Sequence, residues 1–413
     1  MNDFFQSKQV LALKKKITPS ERERRKVEEI CTEAMEKLNK NISRLGIEAT
    51  PSLQGSVAKD TWLPGETVNL DIFVAFSERY GVEEIKKLGL KIGKLYEYEI
   101  AYAEHPYVKN FYKGSTIDVV PCYTATRMIT SVDRTPLHTA YIKSHLAFEQ
   151  RAEVRLLKKF MKAQHVYGAE QKVGGFSGYL CELLILHYKT MKDTLVAASH
   201  WRRGERIDIE GMSQKKFSEP LTVIDPTDPE RNVAAAVTPG RLAGFIHAGR
   251  LFSENPSIRF FSKRKITFTP NPGSRLFMVE FECDLIDDIL FPQLRKTERY
   301  ISNALMKAGF SVYRSAVFRS GIFFELDVFS LPAFEKRQGP QIFDAENCAR
   351  FAEKHRGVTT EDLTLVSEVR RKHREAHTFI ASLVKKKEGF GKDLKRGRCR
   401  LHKIRKAPAT EMF

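Results

Sequence analysis

The residues best placed to do chemistry lie between Leu53 and Phe76. A Gly55-Ser56 pair closes one extended segment and opens a short helical turn, and Asn69-Leu70-Asp71 heads an apolar run from Ile72 to Phe76. On a strand, residues i and i+2 point to one face, so Asn69 and Asp71 project together while Leu70 points into the core. A second strand candidate, Thr116-Ile117-Asp118-Val119-Val120-Pro121, offers another carboxylate. If the two strands are neighbours, Asp71 and Asp118 can share one or two Mg²⁺ ions, and the Gly55-Ser56 turn can hold nucleotide phosphates. Carboxylates beside apolar strand residues are costly unless they bind metal or sit at a solvated strand end. Two Mg²⁺ ions suit nucleotidyl transfer: one activates an attacking 3′-hydroxyl and the other holds the leaving pyrophosphate. Hard oxygen ligands favour Mg²⁺ over zinc. The plainer reading of Asp71 and Asp118 is a pair of solvated strand-end acids.

The elements that would position these groups follow from patterning. Residues 1–17 read as an extended or loosely helical arm. Thr18-Pro19-Ser20-Glu21 reads as a capping box with proline at the first helical position. Val27, Ile30, Cys31, Ala34, Leu38, Ile42 and Leu45 then form one apolar stripe of a long helix, which Gly46 stops. Strands are expected at Ile47–Gln54, Asn69–Phe76, Tyr98–His105, Tyr107–Tyr112 and Thr116–Tyr123, with a helix over Val82–Leu95. This predicts a mixed sheet with helices on one face. Helices dominate from Thr135 to Phe252, among them one over Tyr179–Trp201 with Ser177 as its cap. After Asn271-Pro272-Gly273 the order strand, helix, strand, strand predicts a small ferredoxin-like module. Ala345–Phe379 reads as helical.

The fold class expected is therefore α+β and multidomain. It comprises a nucleotidyltransferase head over 1–145, a helical central domain over 146–265, and a mixed C-terminal body with a basic tail over 266–413. A chain of 413 residues exceeds a single core. No uninterrupted apolar run can span a bilayer, Met1–Lys16 does not read as a signal peptide, and a cytoplasmic location is expected. Six scattered cysteines without a C-x-x-C pair argue against disulfides and structural zinc. The formal charge of +18 points to a polyanionic partner. Lys385–Lys406 holds eleven Lys or Arg against Glu388 and Asp393, a net +9, and is expected to order only on nucleic acid.

The sequence resembles a family. Gly-Ser-x-Ala-Lys-x-Thr-Trp-Leu, Leu-Asp-Ile-Phe, Ala-Glu-His-Pro-Tyr, Ile-Asp-Val-Val-Pro-Cys-Tyr, Ser-Val-Asp-Arg-Thr-Pro, Gly-Phe-Ser-Gly-Tyr-Leu-Cys-Glu and Asp-Pro-x-Asp-Pro-x-Arg-Asn-Val-Ala are similar to motifs of the archaeal, class I CCA-adding tRNA nucleotidyltransferases. These belong to the DNA polymerase β superfamily, whose head the polymerase-β-like fold describes. The resemblance runs from Ser52 to Gln341 and fades after Arg356. It implies addition of C, C and A to the 3′ end of tRNA from CTP and ATP without a template, with Mg²⁺ as cofactor. It assigns Gly55, Ser56 and Lys59 to the phosphate turn and Asp71 and Asp118 to metal. It further implies triphosphate contacts for His138, Lys158 and Tyr167, and base reading with RNA backbone for Arg231. Each has a plainer rival: a packed histidine, a solvated lysine, a core tyrosine. One departure stands out, because the family carries a carboxylate where this chain has Asn69. A neutral amide oxygen ligates Mg²⁺ weakly, so activity should fall.

Body and tail are expected to grip the acceptor and TΨC arms of tRNA by shape and phosphate. Arg295, Lys296 and Arg299 on one helix are the candidates, against the plainer reading of a solvated face. A homodimer is left open. Two other functions stay open as well: a poly(A)-polymerase-like enzyme, whose product would not stop at three nucleotides, and a catalytically silent tRNA-binding homologue, which only Asn69 supports.

Overall fold

The computed structural model describes residues 2–102, 106–124, 129–262 and 270–404. The chain divides into two compact units, Met1–Arg264 and Lys265–Phe413. The head and helical regions expected as separate domains thus share one unit. The expected 265/266 boundary, residues 103–105 of the Tyr98–His105 strand, and the last two residues of the 385–406 tract lie outside the described residues.

The first unit opens with α1 (Asn2–Phe5), α2 (Lys8–Ile17) and α3 (Glu21–Arg44). Its sheet is built from β1 (Ala49–Gln54), β2 (Asn69–Phe76), β3 (Glu97–Tyr102), β4 (Pro106–Tyr112) and β5 (Ser115–Tyr123). A single turn, α4 (Gly55–Ala58), follows β1, and α5 (Val82–Ile92) follows β2. The strand order is β1-β2-β5-β4-β3, with only β2 and β5 parallel. The helical layer comprises α6 (Arg134–His145), α7 (Phe148–Ala163), α8 (Gly178–Tyr188), α9 (Met191–His200) and α10 (Pro239–Glu254). It also holds a three-stranded sheet of β6 (Glu205–Ile207), β7 (Leu221–Asp225) and β8 (Asp228–Asn232).

Three local expectations are corrected here. The arm is helical, as one of its two readings has it, but it is docked and not loose: of α1 and α2, Ile17 joins the helical core, Lys14 pairs with Glu153 at 2.6 Å, and Phe4 and Phe5 pack edge-on against Phe252. The capping box sits two residues later than expected, with Ser20 Oγ accepting from the Glu23 amide while the Glu23 carboxylate accepts from the Ser20 amide; Pro19 precedes the cap. The helix expected over 179–201 breaks in two, because Lys189 takes φ +73° and Thr190 caps α9 by accepting from the Asp193 amide.

In the second unit, β9 (Arg275–Glu282), α11 (Asp287–Lys307), β10 (Ser311–Phe318) and β11 (Gly321–Val328) appear in the expected order. An insert follows: β12 (Phe334–Gln341), α12 (Ala345–Lys354), β13 (Val358–Glu361) and β14 (Thr364–Arg370). Then come α13 (Ala376–Lys386) and β15 (Arg398–Ile404). The main sheet is antiparallel with order β10-β11-β9-β15, the ferredoxin-like arrangement. Two expectations fail. Residues 358–370 form a hairpin instead of helix, since β-branched Val358, Thr359 and Thr360 lead into a turn in which Asp362 holds φ +48°. The described part of the basic tract, residues 385–404, is folded into the unit: Phe390 and Leu394 are 1 % and 0 % exposed, and β15 completes the sheet. Hydrogen bonds between Gln293 and Asp393 and from the Gly391 amide to the Thr297 hydroxyl add to this docking. Among the described residues, no helix is long and apolar enough to cross a membrane.

Candidate active site

Alternation on two strands creates the acid face. Leu70, Ile72, Val74, Ile117 and Val119 are buried in one core with Ile30, Ala34 and Leu38 of α3. Asn69, Asp71, Thr116 and Asp118 therefore emerge on the opposite face. In the parallel pairing of β2 and β5, Asp71 lies opposite Asp118 and Asn69 opposite Thr116. Asn69 Nδ2 donates to Asp71 Oδ1 at 2.9 Å and to Asp118 Oδ2 at 3.2 Å, while its Oδ1 accepts from the Thr116 hydroxyl at 2.8 Å. Carboxylates only accept and the threonine can donate, so this orientation satisfies both ends of the Asn69 amide. Asn69 thus presents its nitrogen, not the ligating oxygen expected of it, to the two acids.

The acids are poised for a cation. Burial, with the Asp118 charge beside it, pushes the Asp71 carboxyl up to about 7. Burial also raises Asp118, whose Oδ1 is buried without a hydrogen-bond partner. An orphaned buried oxygen and acids reluctant to ionise are what a hard divalent cation would correct. Among the described residues there is no cluster of three His, Cys, Asp or Glu, and here the two acids share their face with Asn69.

Gly55 has φ +69°, and a Cβ there would overlap the Asp71 carboxylate, so only glycine brings the turn this close. Ser56, Asn69, Lys158 and Tyr167 line one cavity of about 140 Å³ together with Thr61 and Lys162. Lys59 points instead into a buried cluster. Its Nζ donates to Glu182 Oε2 at 2.5 Å, the Thr61 hydroxyl donates to Oε1 at 2.5 Å, and Lys158 Nζ lies 3.3 Å from Oε1. Lys158 also donates to the Thr61 hydroxyl and carbonyl, both at 3.1 Å. Burial alone would raise the Glu182 carboxyl, but the Lys59 and Lys158 ammonium groups more than offset it and hold it below the usual range. Burial pushes Lys158 down. Two lysines thus share one carboxylate.

A second hub is Asp225, fully buried at the end of β7. Its Oδ2 accepts from Arg231 Nη1 at 2.7 Å and from His138 Nε2 at 2.8 Å. Its Oδ1 accepts from the Tyr179 hydroxyl at 3.1 Å and from Thr227 N and Oγ1 at 3.0 and 2.8 Å. These donors outweigh its burial and hold Asp225 far below the usual carboxylate range. His138 stacks on Tyr179 with ring centroids 3.9 Å apart, and burial pushes it down despite Asp225. A neutral His138 bound this way carries its proton on Nε2. Tyr179 and Glu182, at i and i+3 on α8, join the Asp225 hub to the lysine cluster.

Glu182, Asp225, Thr61 and Tyr179 are not picked out by sequence reasoning, although Glu182 interrupts a run of Leu, Cys and Ile that no unpaired acid could occupy. Arg295, Lys296 and Arg299 all lie on α11; Lys296 and Arg299 are exposed, and Arg295 is half-buried with its guanidinium pushed down by burial and by Arg299.

A five-stranded mixed sheet with paired acids beside a glycine turn, joined to a helical layer, defines a nucleotidyltransferase of the polymerase β type. The chain belongs to the CCA-adding enzymes. It is 41 % identical over 396 residues to the CCA-adding enzyme of Methanothermobacter thermautotrophicus, covering 90 % of this chain and 87 % of that one. Identity is 40 % to that of Archaeoglobus fulgidus, over 82 % and 80 % of the two chains. It is 36 % to that of Methanosarcina mazei, over 90 % and 87 %. Residues 152–262 match the tRNA nucleotidyltransferase second domain, and residues 272–405 match the CCA-adding enzyme C-terminal domain. The family likeness thus extends through the basic tract, beyond the point where motifs fade. A solved structure of the Cid1 poly(U) polymerase is similar at a TM-score of 0.48 and 15 % identity, over 64 % of this chain and 99 % of that one.

Proposed function

We propose that this chain adds C, C and A to the 3′ end of tRNA from CTP and ATP. The observation that carries the reading is the in-register Asp71–Asp118 pair with its orphaned oxygen, set against the Gly55 turn. Asp71 and Asp118 would hold Mg²⁺, which when bound lowers the pKa of the 3′-hydroxyl and stabilises the leaving pyrophosphate. Ser56, Lys158 and Tyr167 border the space for the triphosphate, and the Lys59–Glu182 ion pair holds Lys158 at its edge. The 3′-oxygen forms the new bond to the α-phosphorus while the bond to the β-phosphate oxygen breaks. Arg231, held by Asp225, would donate to the ring-nitrogen acceptor that cytosine and adenine share on their pairing edge. His138, neutral, would offer a phosphate no charge and acts as an orienting group for the same hub.

In this reading residues 1–145 carry catalysis, 146–265 bind nucleotide and primer, and 266–413 grip the acceptor and TΨC arms, with Arg295, Lys296 and Arg299 on phosphate. The setting is the cytoplasm. A specific observation also favours a second reading, a silent tRNA-binding homologue: the Asn69 amide bridges both acids and takes the place of a third carboxylate. Incubating the protein with tRNA lacking its CCA, CTP, ATP and Mg²⁺ decides between them. Three-nucleotide extension supports the first reading. Tight tRNA binding without extension supports the second, and a long poly(A) product would refute both.

A further inference from the structure

The two acids belong to a longer row. Across all five strands of the head sheet, Gln54 lies opposite Asp71, Asp71 opposite Asp118, Asp118 opposite Lys109, and Lys109 opposite Glu99. Register partners share a face, so Lys109 stands beside Asp118 on the acid side of β4. Tyr107 and Phe111, two residues to either side, share that face, whereas Val108 and Asn110 point the other way and are fully buried. Phe111 is 40 % exposed. Lys109 is half-buried and forms no ion pair among the described residues, yet its charge opposes the upward shift of Asp118. Glu97 and Glu99, both exposed on β3, close the outer border of this face.

The row has a direction. The phosphate turn follows β1, on the far side of Asp71 from Asp118. In-line displacement puts leaving group and nucleophile on opposite sides of the α-phosphorus. With the triphosphate on the β1 side, the RNA 3′-oxygen must approach from the β4 side, across Asp118. The group it meets there is a lysine flanked by aromatic side chains. Single-stranded nucleic acid is bound in this way, with a cation on the backbone and rings under the bases.

We propose that the Tyr107–Lys109–Phe111 face of β4 is the platform for the single-stranded 3′ end of the RNA substrate. Lys109 holds the phosphate that joins the last two nucleotides, and Phe111 stacks on a terminal base. The acids of β3 repel a backbone that strays past Lys109. This rests on the assignment of Asp71, Asp118 and the Gly55 turn to the reacting nucleotide. The plainer role for Lys109 is counter-charge to Asp118 alone.

The test is binding of a fluorescent RNA hairpin with a 3′ single-stranded overhang, beside the same hairpin blunt-ended, without nucleotide. Lys109→Gln should weaken overhang binding about tenfold and flatten the logarithmic salt slope by about 0.7, one single-strand phosphate contact. Phe111→Ala should weaken it about 5- to 150-fold, one base–aromatic stack, and Phe111→Tyr should retain it. Blunt-hairpin binding and melting temperature should stay constant in all three. Equal losses on both hairpins, or no loss on either, overturn the platform. Unchanged binding with a pH–rate profile of Lys109→Gln moved upward assigns Lys109 to Asp118 alone. Because binding needs no turnover, a wild-type protein that binds the overhang through these residues but extends nothing would refute the catalytic reading and leave the platform standing.

Discussion

Replacing Asn69 by aspartate tests the acid site most directly. The change removes two donated bonds, of 2.9 and 3.2 Å, to Asp71 and Asp118. A hydrogen bond to a charged group is worth about 1.5–3 kcal/mol. It also places a third negative charge between two others, costing about 4 kcal/mol per pair at 4 Å and an effective dielectric of 20. Proton uptake limits that cost, because Asp71 already titrates at about 7 and each pH unit is worth about 1.4 kcal/mol. Near pH 7 the cation-free protein should therefore lose about 3–5 kcal/mol. At roughly 2–4 °C per kcal/mol for a unit of this size, its melting temperature should fall by about 10 °C. Mg²⁺ at a hundred times its Kd should return about 2.7 kcal/mol of this. The same third carboxylate stabilises charge that develops in the transition state, so CMP incorporation into tRNA lacking CCA should rise by ~10²-fold or more. tRNA affinity should hardly change. Single-turnover incorporation and thermal melts with and without Mg²⁺ provide the readouts. Equal rates in the two proteins, together with a melting temperature indifferent to Mg²⁺, would refute the metal-ligand assignment.

Asp71, whose folded pKa is raised, binds more protons in the folded than in the unfolded chain between about pH 4 and 7. Its contribution to stability is present below pH 4 and lost by pH 7, up to about 4 kcal/mol; Asp71→Asn should flatten cation-free stability over that window in pH-dependent melts. Glu182→Gln strands two buried lysines and should cost about 3–5 kcal/mol, with a raised KM for CTP; an unchanged melting temperature would show that the lysines find other partners. Arg231→Ala, in the Asn69→Asp background, should lower CTP and ATP use and narrow the preference for CTP over UTP, with Lys a poor rescue; an equal loss for all four nucleotides would move Arg231 to phosphate binding. Truncation after Val384 removes buried Phe390 and Leu394 and the β15 strand, so circular dichroism should show the second unit unfolded.

Local pattern determined a good deal. Alternation at Asn69-Leu70-Asp71 and at Ile117-Asp118-Val119 is enough to place the acids on one face of two strands. Apolar period gives the long helix, though its cap falls two residues later than the local pattern suggests, and strand–helix–strand–strand order gives the ferredoxin-like start of the second unit. What pattern cannot supply is partnership. That β2 and β5 are parallel neighbours in the register Asp71↔Asp118 is a property of the sheet. The direction in which Asn69 turns its amide depends on the Thr116 hydroxyl across that register. Glu182 lies 123 residues from Lys59, and Asp225 lies 87 residues from His138. No spacing rule reaches that far, because a buried charge is tolerated or excluded by whatever the fold brings to it. The basic tract shows the same limit from the other side. Its charge density reads as disorder, yet Phe390 and Leu394 are buried and β15 pairs with the edge of β9, since burial and register depend on the receiving surface rather than on composition.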